Sequence, residues 1–107
     1  MRLPSAIPIL GEVYMMRFGD VEGDAWAHCD PVNMEIVLNP KLLQNHDQLW
    51  RTLRHEIGHA MQNECGLSDF LDAAAQEMVA QAFANTVGAL FYPEFQEHLL
   101  EASDEAT

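Results

Sequence analysis

Basic residues are scarce in this chain: 5 lysines and arginines stand against 17 aspartates and glutamates in 107 residues, a formal charge of −12. Affinity for a phosphate backbone comes largely from Lys and Arg, so this balance argues against nucleic acid as a partner. Cysteine is scarcer still. Cys29 and Cys65 are the whole complement, too few for a disulfide framework and in keeping with a reducing cytosol. Long apolar runs are missing as well: none approaches the roughly 20 residues of a membrane-spanning helix. Pro4 and Pro8 interrupt the N-terminal stretch before a signal-type apolar core forms. The expectation is a soluble, cytoplasmic protein with neither membrane nor nucleic acid as partner.

What is present suits one small globular domain spanning residues 1–107, with a hydrophobic fraction of 49%. So short a chain buries a modest share of its surface, and a bound metal would add usefully to its stability. The first part reads as strands. Residues 11–18 are largely apolar and bounded by Gly11 and Gly19. Residues 24–29 and 34–38 flank the turn-like Asp30-Pro31-Val32-Asn33 and suggest a hairpin.

From Asn45 the period changes to helical. Asn45 or Asp47 can cap a helix in which Leu49, Trp50, Leu53, Ile57, Ala60 and Met61 share one stripe, with Gly66 as a stop. A second helix is expected from a Ser68 cap towards Tyr92, where Pro93 breaks it. Its main apolar stripe is Val79, Ala82, Phe83, Thr86, Val87 and Leu90. A second face carries Ala73, Ala80, Ala84 and Gly88, small residues that admit another helix, and Glu77 lies on it. Residues 94–107 suggest a short helix and then an acidic, mobile tail at about 101–107.

The first helix contains His55-Glu56-Ile57-Gly58-His59, the H-E-x-x-H pattern. Residues i and i+4 stack one turn apart, about 40° round the helix, so two imidazoles can grip one zinc ion. Both histidines lie roughly opposite the apolar stripe and are not core residues. Glu56, beside the first of them, can reach a water on the metal and take its proton as it attacks a carbonyl carbon. A catalytic zinc needs a third protein ligand. Glu77, 18 residues beyond His59 on the small-residue face, is the best candidate. Glu64, Asp69, Asp72 and His98 are its rivals, and His28 and His46 read as ordinary strand and loop histidines.

Residues 52–60, Thr-Leu-Arg-His-Glu-Ile-Gly-His-Ala, followed by 76–84, Gln-Glu-Met-Val-Ala-Gln-Ala-Phe-Ala, resemble the gluzincin branch of the zincin metallopeptidases. The likeness is to the minimal single-domain forms, the minigluzincins, and to the related ImmA/IrrE-type proteins of phages and mobile elements. It runs from about residue 11 to residue 91 and is strongest over the two helices. The resemblance implies an α+β fold in which a small N-terminal sheet with an edge strand packs on the active-site helix and a following glutamate helix. It implies one zinc ion held by His55, His59 and Glu77, with Glu56 as general base, residues 34–38 as the edge strand, and a peptide or protein as substrate. Larger relatives steady the oxyanion with a Tyr or His from a second subdomain, and no residue here matches it. Tyr14, Tyr92 and His98 are the stand-ins. The leading function is therefore zinc-dependent peptide hydrolysis. The alternative is a catalytically weak or autoinhibited zinc-bound regulatory or interaction domain, and a third reading makes the acidic surface a mimic of a polyanion. No pattern specifies an oligomeric state.

Overall fold

A computed structural model describes residues 4–89 of the chain. The first two strands form a hairpin, β1 (Ala6–Ile9) and β2 (Glu12–Phe18), antiparallel with Ile9 opposite Glu12. The two-residue turn between them places Leu10 at φ 48° and Gly11 at φ 90°, the positive pair that such a tight turn requires. Gly11 accepts this freely, whereas Leu10 is a non-glycine residue in the left-handed region. β1 was not expected from the sequence, because Pro8 lies within it. It tolerates the proline as an edge strand.

β3 (Ala27–Asp30) and β4 (Glu35–Leu38) form the expected hairpin, pairing antiparallel with Cys29 opposite Ile36. The Asp30 carboxylate accepts the amides of Val32 and Asn33 and fixes the turn. β4 then runs parallel to β2, and the sheet order is β1-β2-β4-β3. This corrects the edge-strand assignment. Residues 34–38 contain an interior strand, with Ile36, Val37 and Leu38 wholly buried, and β3 is the edge on that side of the sheet. A continuous apolar run is the mark of a strand covered on both sides, while β3 alternates Ala27 and Cys29 towards the core with His28 and Asp30 away from it.

α1 (His46–Glu64) is capped by the Asn45 side chain, which accepts the Gln48 amide, and is followed by Gly66 at φ 80°. Leu49, Leu53 and Ala60 enter a core with Tyr14, Met16, Ile36, Leu38 and Leu42. Burial of this kind stabilises by about 25 cal/mol per Å² of apolar surface. Trp50, Ile57 and Met61 complete the stripe as half-buried partners.

α2 (Ala73–Ala89) begins later than expected. Ser68 lies in a short 3-10 turn, Leu67–Asp69, and the cap is Asp72, whose carboxylate accepts the Ala75 amide at 2.8 Å. The small-residue face packs on α1, as expected, and the main apolar stripe is left partly open. Ala80, Ala84 and Gly88 are buried, whereas Val79 is 38% exposed and Phe83 and Val87 are only half-buried. Small residues win that face because the two helices are in close contact: a Cβ on Gly58 would come within 3.0 Å of the Ala80 Cα. The expected continuation to Tyr92, the short helix after Glu94 and the tail at 101–107 lie outside the described residues. Among the described residues, no helix is long and apolar enough to cross a membrane.

Candidate metal centre

The approach of α2 at Gly58 brings Glu77 over the exposed side of α1. The Glu77 carboxylate reaches both histidines, with Oε2 2.9 Å from Nε2 of His55 and Oε1 2.8 Å from Nε2 of His59. One ligand atom from each of the three residues lies within 4.8 Å of the others, a group able to hold a metal ion. The two imidazoles meet edge to face, their centroids 4.9 Å apart, as one-turn spacing dictates.

Gln81, one turn beyond Glu77, was not singled out from the sequence. Its Oε1 lies 3.2 Å from Nδ1 of His55, and its amide is oriented by donation from Nε2 to Oδ1 of Asn85 at 3.0 Å. Both ring nitrogens of His55 therefore face acceptors, since Nε2 faces Glu77. A neutral imidazole carries one N–H. With a cation at Nε2, Nδ1 keeps its proton and donates to Gln81, the usual outer support of a metal-bound histidine. The signal for Gln81 in the sequence was its i+4 relation to Glu77.

Glu56 faces inward from the same turn and is only 8% exposed. Burial pushes its carboxyl up to about 7, His55 opposes the shift, and the Glu77 charge adds to it. It borders two hollows that meet at Glu56 and Ala27. One, of about 340 Å³, is lined by His59, Asn63, Gln76 and Glu77; the other, of about 210 Å³, by Trp26, Arg51, His55 and Gln81. β3 forms the rim of both.

The rival ligands are occupied elsewhere. Glu64 accepts the Tyr14 hydroxyl at 2.6 Å, Asp72 caps α2, and Asp69 sits in the 3-10 turn. Tyr14 is wholly buried, which removes it as an oxyanion donor. His28 borders the larger hollow, but the pleat that turns Ala27 and Cys29 to the core turns its ring to the opposite face. His46 is the first residue of α1. Tyr92 and His98 lie outside the described residues. Neither a family model, nor a curated protein, nor a solved structure matches this chain.

Proposed function

We propose that the chain is a zinc-dependent metallopeptidase of minimal zincin type, with His55, His59 and Glu77 as the ligands of one ion and Glu56 as the general base. The observation that carries this is the convergence of two imidazoles and one carboxylate beside a buried glutamate that makes none of these contacts. Two histidines and a carboxylate are the donor set of many catalytic zinc sites, with room left at the fourth position. At metal–ligand distances of about 2.0–2.1 Å, tetrahedral neighbours stand roughly 3.3 Å apart. The present 2.8 and 2.9 Å contacts need to open by only about half an ångström.

Zinc held there supplies Lewis acidity, which polarises a substrate carbonyl and acidifies a water molecule. Glu56 accepts the proton of the attacking water on its carboxylate and returns it to the leaving nitrogen. Gln81 holds the His55 ring in orientation. The outer edge of β3, unpaired among the described residues, supports an extended peptide, since such an edge offers N–H and C=O groups in register. Solubility, a cytoplasmic location and a peptide or protein substrate remain part of this proposal.

The test is Glu56→Gln in the zinc-loaded full chain against unfolded casein. Zinc content should be retained while cleavage falls by about 10²–10⁴, the usual share of a general base. Equal cleavage by the variant rejects Glu56 as the base. One observation favours the alternative of a weakly catalytic zinc-bound regulatory domain: no tyrosine lines either hollow among the described residues. Loss of an oxyanion donor costs roughly 10²–10³ in rate. Zinc-loaded protein that cleaves nothing in a broad peptide library selects that reading.

A further inference from the structure

The two hollows form one trough with a direction and unequal ends. Along α1 the lining advances from Gln48 and Arg51 through His55 in the smaller hollow to His59 and Asn63 in the larger. Along the edge strand it advances from Trp26 to Pro31, and α2 runs the opposite way, from Gln81 back to Gln76. Helix, helix and strand thus follow the same line, with the metal-binding group at its middle.

Arg51 is the one lysine or arginine lining either hollow. It makes no hydrogen bond or ion pair among the described residues, in a chain with more than three acidic groups for each basic one. A second guanidinium lies in a neighbouring recess, outside the two hollows. Arg51 and Gln81 also line this recess with Arg54, whose Nε is buried without a hydrogen-bond partner. Arg51 precedes His55 by one turn, about 6 Å along the helix. An extended peptide rises about 3.3 Å per residue and repeats its faces every second residue. A peptide lying along β3 with one carbonyl over the metal-binding group therefore brings a side chain about two residues away to Arg51.

We propose that Arg51 is a specificity-determining residue of this cleft, pairing with a carboxylate of an extended peptide about two residues from the carbonyl over the metal-binding group. The proposal deepens the peptidase reading and rests on it. Guanidinium and carboxylate make a forked, charge-assisted pair, and the other end of the trough offers no Lys or Arg to compete. The carboxylate can belong to an Asp or Glu side chain or to a free C-terminus.

The test uses the zinc-supplemented Glu56→Gln full chain and binding read by fluorescence anisotropy. The probes are short, otherwise uncharged Ala/Ser peptides with one Glu or Gln moved through each position, each made with a free and with an amidated C-terminus. We expect tighter binding, by about three- to tenfold, for Glu over Gln at one position, or for the free over the amidated terminus. The first result identifies a side chain as the source and the second a terminus. In either case Arg51→Gln should abolish the preference and Arg51→Glu should invert it towards Lys peptides. Lys41→Gln, which removes the same charge elsewhere, should leave it intact. Equal binding of Glu and Gln peptides with free and amidated ends, a preference that survives Arg51→Gln, or no binding by any peptide overturns the proposal. Cleavage by the wild type is scored separately. A charge preference without cleavage keeps Arg51 and removes the peptidase reading, and cleavage without a preference does the reverse.

Discussion

Glu77 is the most exposed of the three candidate ligands, with 62% of its side chain accessible against 21% for each histidine. An exposed glutamate is ordinarily free to change without consequence, so replacing it isolates its role as a ligand. Glu77→Ala should lower zinc affinity at least tenfold by isothermal titration, while Asp69→Ala should leave it unchanged. An aspartate variant that sheds the metal while Glu77→Ala keeps it assigns the third ligand elsewhere. Cys29 provides the test of pH. Burial pushes its thiol up to about 12, and the charges of Glu56, Asp30 and Glu64 add to the shift. Its folded value thus stands above the ordinary value of 9.0. Its contribution to stability is complete below about 9 and is lost as the pH rises towards 12. In melting curves across that window, Cys29→Val should flatten the decline, and Cys65→Ser, at an exposed thiol, should not. At pH 8 a thiol reagent should label Cys65 faster than Cys29.

At the scale of elements, the junction of α1 and α2 decides whether the candidate ligands meet. Gly58 lies inside the H-E-x-x-H run, and a methyl there would press on the Ala80 Cα at 3.0 Å and the Ala80 carbonyl oxygen at 3.2 Å. Alanine is the better helix former by about 1 kcal/mol, yet its contact here is helix backbone rather than a flexible side chain. Gly58→Ala should therefore push α2 outward by a few tenths of an ångström and weaken zinc binding, with no gain in melting temperature. A stabilised variant with full zinc affinity would show that the helices are free to slide. The α2 cap offers a second test: Asp72→Ala should cost about 1 kcal/mol of stability while preserving the candidate ligands. The small-residue face of α2 was legible in Ala80, Ala84 and Gly88. That it would outcompete the stripe of Val79, Phe83 and Val87 was not, because the choice depends on how close α1 stands.

For the whole molecule, the proposed metal would couple to the fold, because a group that binds only the folded state stabilises it. A ligand at 100 times its dissociation constant adds about 2.7 kcal/mol to folding stability, which for a domain of this size is a rise on the order of 10 °C. Differential scanning fluorimetry should show that rise with zinc for the wild type and none for the double variant His55→Ala, His59→Ala. An equal rise in the double variant would place the metal outside this group. By itself the sequence determined the helical pairing of His55 with His59, a start for α1 at Asn45 or Asp47, the core stripe of that helix, and the hairpin around Asp30. These are local matters, governed by the 3.6-residue turn, by capping and by turn chemistry, and each is complete within a few residues. Only the tertiary structure decided that β3 rather than β4 forms the rim, that β1 joins the sheet despite Pro8, and that Gln81 supports His55. Those depend on which strand is covered on both faces and on how closely two helices approach, contacts between residues distant in sequence whose energies no local pattern records.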